Sequence, residues 1–270
     1  MVAIEVSDAH KVASAGIGEP EMNVLRGVAL LLVILAEPLG MAWAQDRNTA
    51  EASGSYTTDF RRSENPCSEE GRWINSGANG GGRSNVQSTP GLAFGTQIER
   101  GLYNDSIALM TGTWSADQTV TVTLYKGTNK NTCCAEGEIW IRGSMGGGKM
   151  TGYEMSFSIL SDPDYYHMAP WLGADFAAGT FARSALGRTL QDGDVIKVTA
   201  VGNLFTLYVN SIQIAQGTDN TYASGNPGIG FFHSSAFNGL DHEWGFNSFA
   251  ATGLISSDLG IRVKPIAVPH

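Results

Sequence analysis

The stretch Leu190-Gln-Asp-Gly-Asp-Val-Ile-Lys-Val-Thr-Ala-Val-Gly-Asn-Leu-Phe-Thr-Leu-Tyr-Val-Asn210 decides the fold. Two β-type runs, 194–201 and 204–210, flank the dipeptide Gly202-Asn203. Such a pair reads as a tight hairpin turn, because both residues tolerate the left-handed backbone that a two-residue turn requires. Asn210-Ser211 reads as a second turn or a bulge before a further run at 213–216. The segment is thus a set of short antiparallel strands with close connections.

The same grammar recurs on either side. Runs at Thr119–Tyr125, Glu138–Arg142, Tyr153–Leu160, Gly228–His233 and Glu243–Ala250 are separated by Gly, Asn, Asp and Pro clusters. In one of them Tyr153, Met155, Phe157 and Ile159 share a face, while Glu154, Ser156 and Ser158 share the other. No segment shows sustained helical periodicity or a fixed repeat. Composition agrees: 34 of 270 residues are Gly and only 16% are charged, which suits many turns rather than a helical bundle. Apolar content of 42% excludes a disordered chain. A net charge of −9 argues against nucleic acid as a partner, since phosphate binding needs a basic face. Together these predict an all-β, antiparallel β-sandwich or barrel forming one domain.

The N-terminal segment reads differently. Met22-Asn-Val-Leu-Arg26, the apolar run Val28–Ala36 and Ala42-Trp43-Ala44 have the basic start, apolar centre and small-x-small end of a helical signal peptide over 22–44. The run is far short of the ~20 apolar residues of a spanning helix, so no membrane span is expected. Residues 1–21 read as an upstream extension, with Met22 as the true start. Residues 45–55 form a polar linker, and 253–270 a tail interrupted by Pro265 and Pro269. The expected location is outside the cell or in a periplasm, where disulfides persist. Three cysteines are available: a bridge from Cys67 to Cys133, or to its neighbour Cys134, would staple two loops and leave one thiol over.

Asp59-Phe60-Arg61-Arg62, Glu64-Asn65-Pro66, Gly71-Arg72-Trp73, Gly152-Tyr153-Glu154-Met155, the stretch 190–210 and Gly225-Asn-Pro-Gly-Ile-Gly230 resemble the concanavalin A-like, LamG-type jelly rolls. The resemblance covers roughly Tyr56 to Thr252. It implies an all-β, two-sheet antiparallel jelly-roll β-sandwich over 56–252, with curved sheets and ligands held on the concave face. It does not select a function, because that superfamily includes lectins, glucanases, polysaccharide lyases, keto-disaccharide hydrolase-like proteins and adhesion modules.

Glu138, Trp140 and Arg142 alternate along one strand, with Ile139 and Ile141 on its other side. An indole flanked by a carboxylate and a guanidinium suits a sugar: the ring stacks and the charges grip hydroxyls or a uronate. The resemblance implies an Arg and a Glu on concave strands, which puts Arg142 and Glu154 on one surface. An ordinary solvated sheet face is the competing reading. Trp171, in an aromatic loop after Tyr165, Tyr166 and His167, is the expected rim of the site. His233, His242 and Glu243 stand at strand ends, where general acid–base work competes with plain surface. Jelly-roll carbohydrate modules often hold a structural Ca²⁺ near the chain ends, which here would fall to Asp59 and Asp241; no other cofactor is expected.

Dedicated enzyme signals are mostly missing. There is no Glu-x-Asp-x-x-Glu set, no Arg-x-Glu-x-Arg strand and no Gly-x-Ser-x-Gly elbow. Gly146-Gly-Gly-Lys149 lacks the spacing of a phosphate loop and reads as a hairpin. The leading expectation is therefore a secreted, non-catalytic module that binds an extracellular polysaccharide or glycan. The alternatives are a glycan hydrolase or lyase using Glu138 and Glu154, and a surface adhesion or structural protein.

Overall fold

Alternation along the chain sets the strands. The computed structural model describes residues 54–96, 105–127, 135–159, 164–173, 179–233 and 241–253. The first strands are β1 (Ser55–Thr58), β2 (Trp73–Asn75), β3 (Val86–Thr89), β4 (Leu92–Gly95) and β5 (Ser106–Met110). Longer ones follow: β6 (Gln118–Lys126), β7 (Ala135–Gly146), β8 (Lys149–Ser158), β9 (Tyr165–Gly173) and β10 (Ala182–Ala185). The last are β11 (Val195–Val201), β12 (Leu204–Val209), β13 (Ile212–Thr218), β14 (Asn226–His233) and β15 (Trp244–Gly253). Among the described residues the helical structure is one 3₁₀ turn, Asp241–Glu243, leading into β15.

Two sheets result. The first has the order β13-β12-β11-β6-β15-β4-β3, with β1 beside β15, and the second β10-β9-β8-β7-β14-β5-β2. All the strand pairings within them are antiparallel. Val201 pairs with Leu204, so Gly202-Asn203 is the expected two-residue turn. Val209 pairs with Ile212, and Asn210 and Ser211 both take positive φ, 51° and 67°, which gives the chain reversal the right-handed strand twist demands.

Between the sheets lies the core. Ile139 and Ile141 of β7 and Tyr153, Met155 and Phe157 of β8 are buried there with Val120, Val122 and Leu124 of β6. Phe231 and Phe246 meet across it with ring centroids 4.8 Å apart. Each such side chain contributes roughly 1.5–3 kcal/mol by leaving water.

The two sheets differ on their outer faces. Along β6, buried and half-exposed residues alternate, as expected for a sheet with one wet face. β7 and β8 are buried on both faces through most of their length. A strap formed by residues 76–85 covers part of the second sheet: Ser76 N–H donates to the Ile107 carbonyl, and Gly148 N–H to the Gly80 carbonyl. Beneath lies a separate apolar cluster of Ile107, Leu109, Trp140, Met150 and Trp171, flanked by Ile74 and Met145.

The signal peptide, the upstream extension, nearly all of the linker and the tail fall outside the described residues. Among those described, no helix is long and apolar enough to cross a membrane. Cys67 is a buried free thiol, so the expected staple is not made there; Cys133 and Cys134 lie outside the described residues. The segment around Trp171, expected as a loop, is strand β9, because Tyr166–Gly173 pairs along β8 and Tyr165–Met168 along β10.

Candidate functional site

The outer face of the second sheet collects the polar side chains that the core refuses. β7 places Glu136, Glu138 and Trp140 there, at every second position. In the β7–β8 ladder Trp140 stands opposite Glu154, and Glu138 opposite Ser156. In the next ladder Ser156 pairs with His167, and His167 in turn with Arg183 of β10. On the other side Gly230 of β14 faces Glu138. A side chain at Gly230 would collide with Glu138 Oε2 and come within 3.0 Å of Trp140 Nε1, so glycine leaves the room that Glu138 occupies.

Two carboxylates are held by two indoles. Trp140 Nε1 donates to Glu138 Oε2 at 2.9 Å, and Trp171 Nε1 donates to Glu154 Oε2. The rings lie 5.4 Å apart, centroid to centroid. Trp140 is 0% exposed and Trp171 1%, with Arg83 of the strap 5.0 Å above the Trp171 ring. The Trp140 platform expected to stack on a sugar is therefore an internal brace, and Trp171 is a wall rather than a loop rim.

Arg142 does not share this face. The β7–β8 register slips between Ile141 and Ser144, and Arg142 takes φ 54°. That bulge breaks the period-two alternation. The guanidinium turns instead to the carbonyls of Ala116, Gly202 and Tyr222, at 2.8, 2.6 and 3.0 Å. It ties three loops together beside Asp117, which lies 3.8 Å away.

The cation expected from Arg142 is supplied by Arg183, which sequence reading passed over. A pocket of about 170 Å³ opens beside the indoles, lined by Asp105, Glu136, Glu154, His167 and Arg183, with Tyr165, Trp171 and Phe232 among its aromatic walls. Tyr165 O–H donates to Glu136, and the Arg183 guanidinium lies 5.6 Å from the Tyr165 ring centre. Asp105, just ahead of β5, completes a group of four carboxyls. Its own is hydrogen-bonded to that of Glu138, and among the described residues its buried Oδ2 meets no donor other than that acid. Glu136 carried a legible signal, being two residues ahead of Glu138 on one strand; Asp105 carried none.

Burial dominates the acid–base character of the group. It pushes Asp105 up to about 7, against the pull of Arg83, and Glu154 up to about 8, with the Asp105 charge adding to it. Glu138 is raised well above the carboxylate range by burial and then by Asp105 and Glu154, and Glu136 is raised by burial although the Tyr165 bond opposes it. Burial lowers His167, with Arg183 adding to it, which favours a neutral imidazole. The pocket thus presents carboxylic acids near neutral pH, an arrangement suited to hydrogen-bonding hydroxyls or moving protons.

Asp59 and Asp241 do not meet. Thr58, just before Asp59, pairs with Phe249, whereas Asp241 precedes β15, so Trp244–Ser248 separates them. Asp59 is paired with Arg61 and Asp241 with His233, at 2.8 and 2.9 Å. Among the described residues no three His, Cys, Asp or Glu side chains converge as metal ligands. These two aspartates therefore do not form the expected Ca²⁺ site. His242 packs against Phe94 with ring centroids 6.0 Å apart, apart from the pocket.

No protein-family model matches the chain, and no curated protein is similar to it in sequence. Among solved structures, the metal-free exoplasmic/lumenal domain of VIP36 is similar with a TM-score of 0.51 at 10% identity, over 76% of this chain and 93% of that one. The fold is a concanavalin A-like jelly roll. The Bacillus licheniformis β-glucanase (TM-score 0.48, 12% identity, 75% of this chain and 99% of that one) and the carbohydrate-binding module CBM66 from Bacillus subtilis (0.45, 15%, 67% and 92%) are also similar. In this jelly roll the strap closes part of the outer face, and the pocket lies beside β9 and β10.

Proposed function

We propose that the protein is a secreted sugar-binding jelly roll that holds a terminal sugar unit in the pocket between β7 and β10. The observation that carries this reading is the pocket's lining: buried carboxyls, a histidine and an arginine converge among aromatic walls on one sheet face. Its volume is below the ~300–1,000 Å³ of sites for drug-sized ligands, which favours one sugar ring over a chain. The VIP36 domain, similar in fold, has been solved with Ca²⁺ and mannose bound. That likeness concerns architecture, and the reading rests on the pocket. The signal-peptide pattern of 22–44 supports export.

The test is retention on a glycan array and in affinity gels cast with polysaccharides. Binding is expected, and R183A or H167A should weaken it about tenfold without changing the unfolding midpoint. No retention on any glycan overturns the reading.

A second reading, a glycan-active enzyme, is favoured by one observation: Glu154, raised to about 8, lines the pocket together with the half-exposed Glu136. A protonated acid and a neighbouring carboxylate are the two groups glycoside cleavage uses. Glu138 does not line the pocket, so Glu136 takes its expected place in the pair. Product release from a retained polysaccharide, abolished in E154Q, supports this reading; unchanged polysaccharide after prolonged incubation excludes it.

A further inference from the structure

We infer that the pocket prefers a sugar carrying a free ammonium group, an inference that rests on the sugar-binding reading above. The charges facing the pocket come from every element around it. Asp105 precedes β5, Glu136 stands on β7 and Glu154 on β8, with Glu138 behind them against Asp105. Tyr165 and His167 stand on β9, Arg183 on β10 and Arg83 on the strap. Arg83 acts on Asp105 and Arg183 on Glu136. Of the groups that line the pocket, three carboxyls stand against one guanidinium, an acid-rich set in a desolvated place.

Asp105 sharpens the argument. Its buried Oδ2 meets no basic or neutral donor among the described residues, and its hydrogen-bond partner, Glu138, is another acid. Two carboxyls in contact require a shared proton or a cation beside them. Beside a neutral hydroxyl, which offers one donor, the pair keeps its proton and gains no charge attraction. An ammonium supplies three donors and a full positive charge, the condition under which buried carboxylates stay ionised. The pocket is small, which suits a compact amine on a sugar ring more than a long cationic side chain. Entry of the ammonium should displace a proton from the carboxyl group pair to the buffer. No bond to the sugar forms or breaks.

The test is calorimetric titration of the full chain with glucosamine, N-acetylglucosamine, glucose and n-butylamine. Glucosamine should bind at least tenfold more tightly than the other two sugars, with heat that depends on the buffer's ionisation because a proton is released. Between about pH 5 and 7 its affinity should rise by up to about tenfold per pH unit for each proton released. D105N should bring the ratio of glucosamine to glucose affinity down to about one. If that variant does not fold, E154Q carries the same readout; a ratio unchanged in a folded variant of either residue overturns the inference. Equal affinity for the three sugars, or n-butylamine binding as tightly as glucosamine, also overturns it. If polysaccharides are retained but glucosamine gains nothing, this inference alone falls. If no glycan is retained, the sugar-binding reading falls with it.

Discussion

Trp140 donates its indole proton to Glu138 from within a fully buried cluster, and its loss would leave both a void and an unbonded buried acid. W140A is therefore expected to cost about 3–5 kcal/mol in urea unfolding, the range for an excised core aromatic. Weakened sugar binding in that variant would report damage to the face rather than a lost stacking contact. Glu154 gives a pH dependence of definite sign. Its folded value of about 8 lies above the ordinary 4.5, so the folded state holds the proton more tightly than the unfolded chain. The associated stability is complete below about 4.5 and is lost as pH rises through about 8. The midpoint of urea unfolding should thus fall across that window, and E154Q should flatten the fall. Cys67 supplies a third test. Burial pushes its thiol up to about 12, so peptide mapping after iodoacetamide treatment should find it unmodified in the folded protein and modified in urea.

At the scale of the strand, β7 shows what a sequence reading can and cannot reach. Alternation placed Ile139 and Ile141 in the core and Glu138 and Trp140 opposite them, because a period of two fixes the faces wherever the ladder is regular. It failed at Arg142, where the slip between Ile141 and Ser144 reverses the side chain and nothing local in Ile141-Arg142-Gly143-Ser144 announces it. The β11–β12 and β12–β13 turns were legible from their Gly and Asn content. β9 was not, because Pro170 and the surrounding aromatics resemble a loop until the flanking strands are present to pair with it. Asp105 and Arg183 are distant in sequence from Glu138 and are brought to it by strand order alone. Arg142 is predicted to be structural: R142A should cost about 3 kcal/mol or more, as three hydrogen bonds from a charged, buried group are lost. Hydrogen exchange should then accelerate in 116–117, 202–203 and 222, while glycan retention by the folded fraction persists, since Arg142 does not line the pocket.

For the molecule as a whole, the all-β reading was recoverable from turn chemistry and alternation and the two-sheet arrangement from the family resemblance, and the covered outer face was not. Residues 76–85 carry Asn79-Gly-Gly-Gly82, which reads as a featureless loop, yet they cover part of the second sheet's outer face. The position of β15 has a further consequence. This last described strand runs between β6 and β4 and also carries β1, so Ser55 lies opposite Thr252. During synthesis, β6 and β4 must wait with open edges until nearly all of the domain has left the ribosome. Pairings of such long sequence separation slow folding into the millisecond-to-second range or beyond, and the exposed edges invite association with other chains in the interval. The growing chain therefore has a long period of vulnerability, which ends only when β15 arrives.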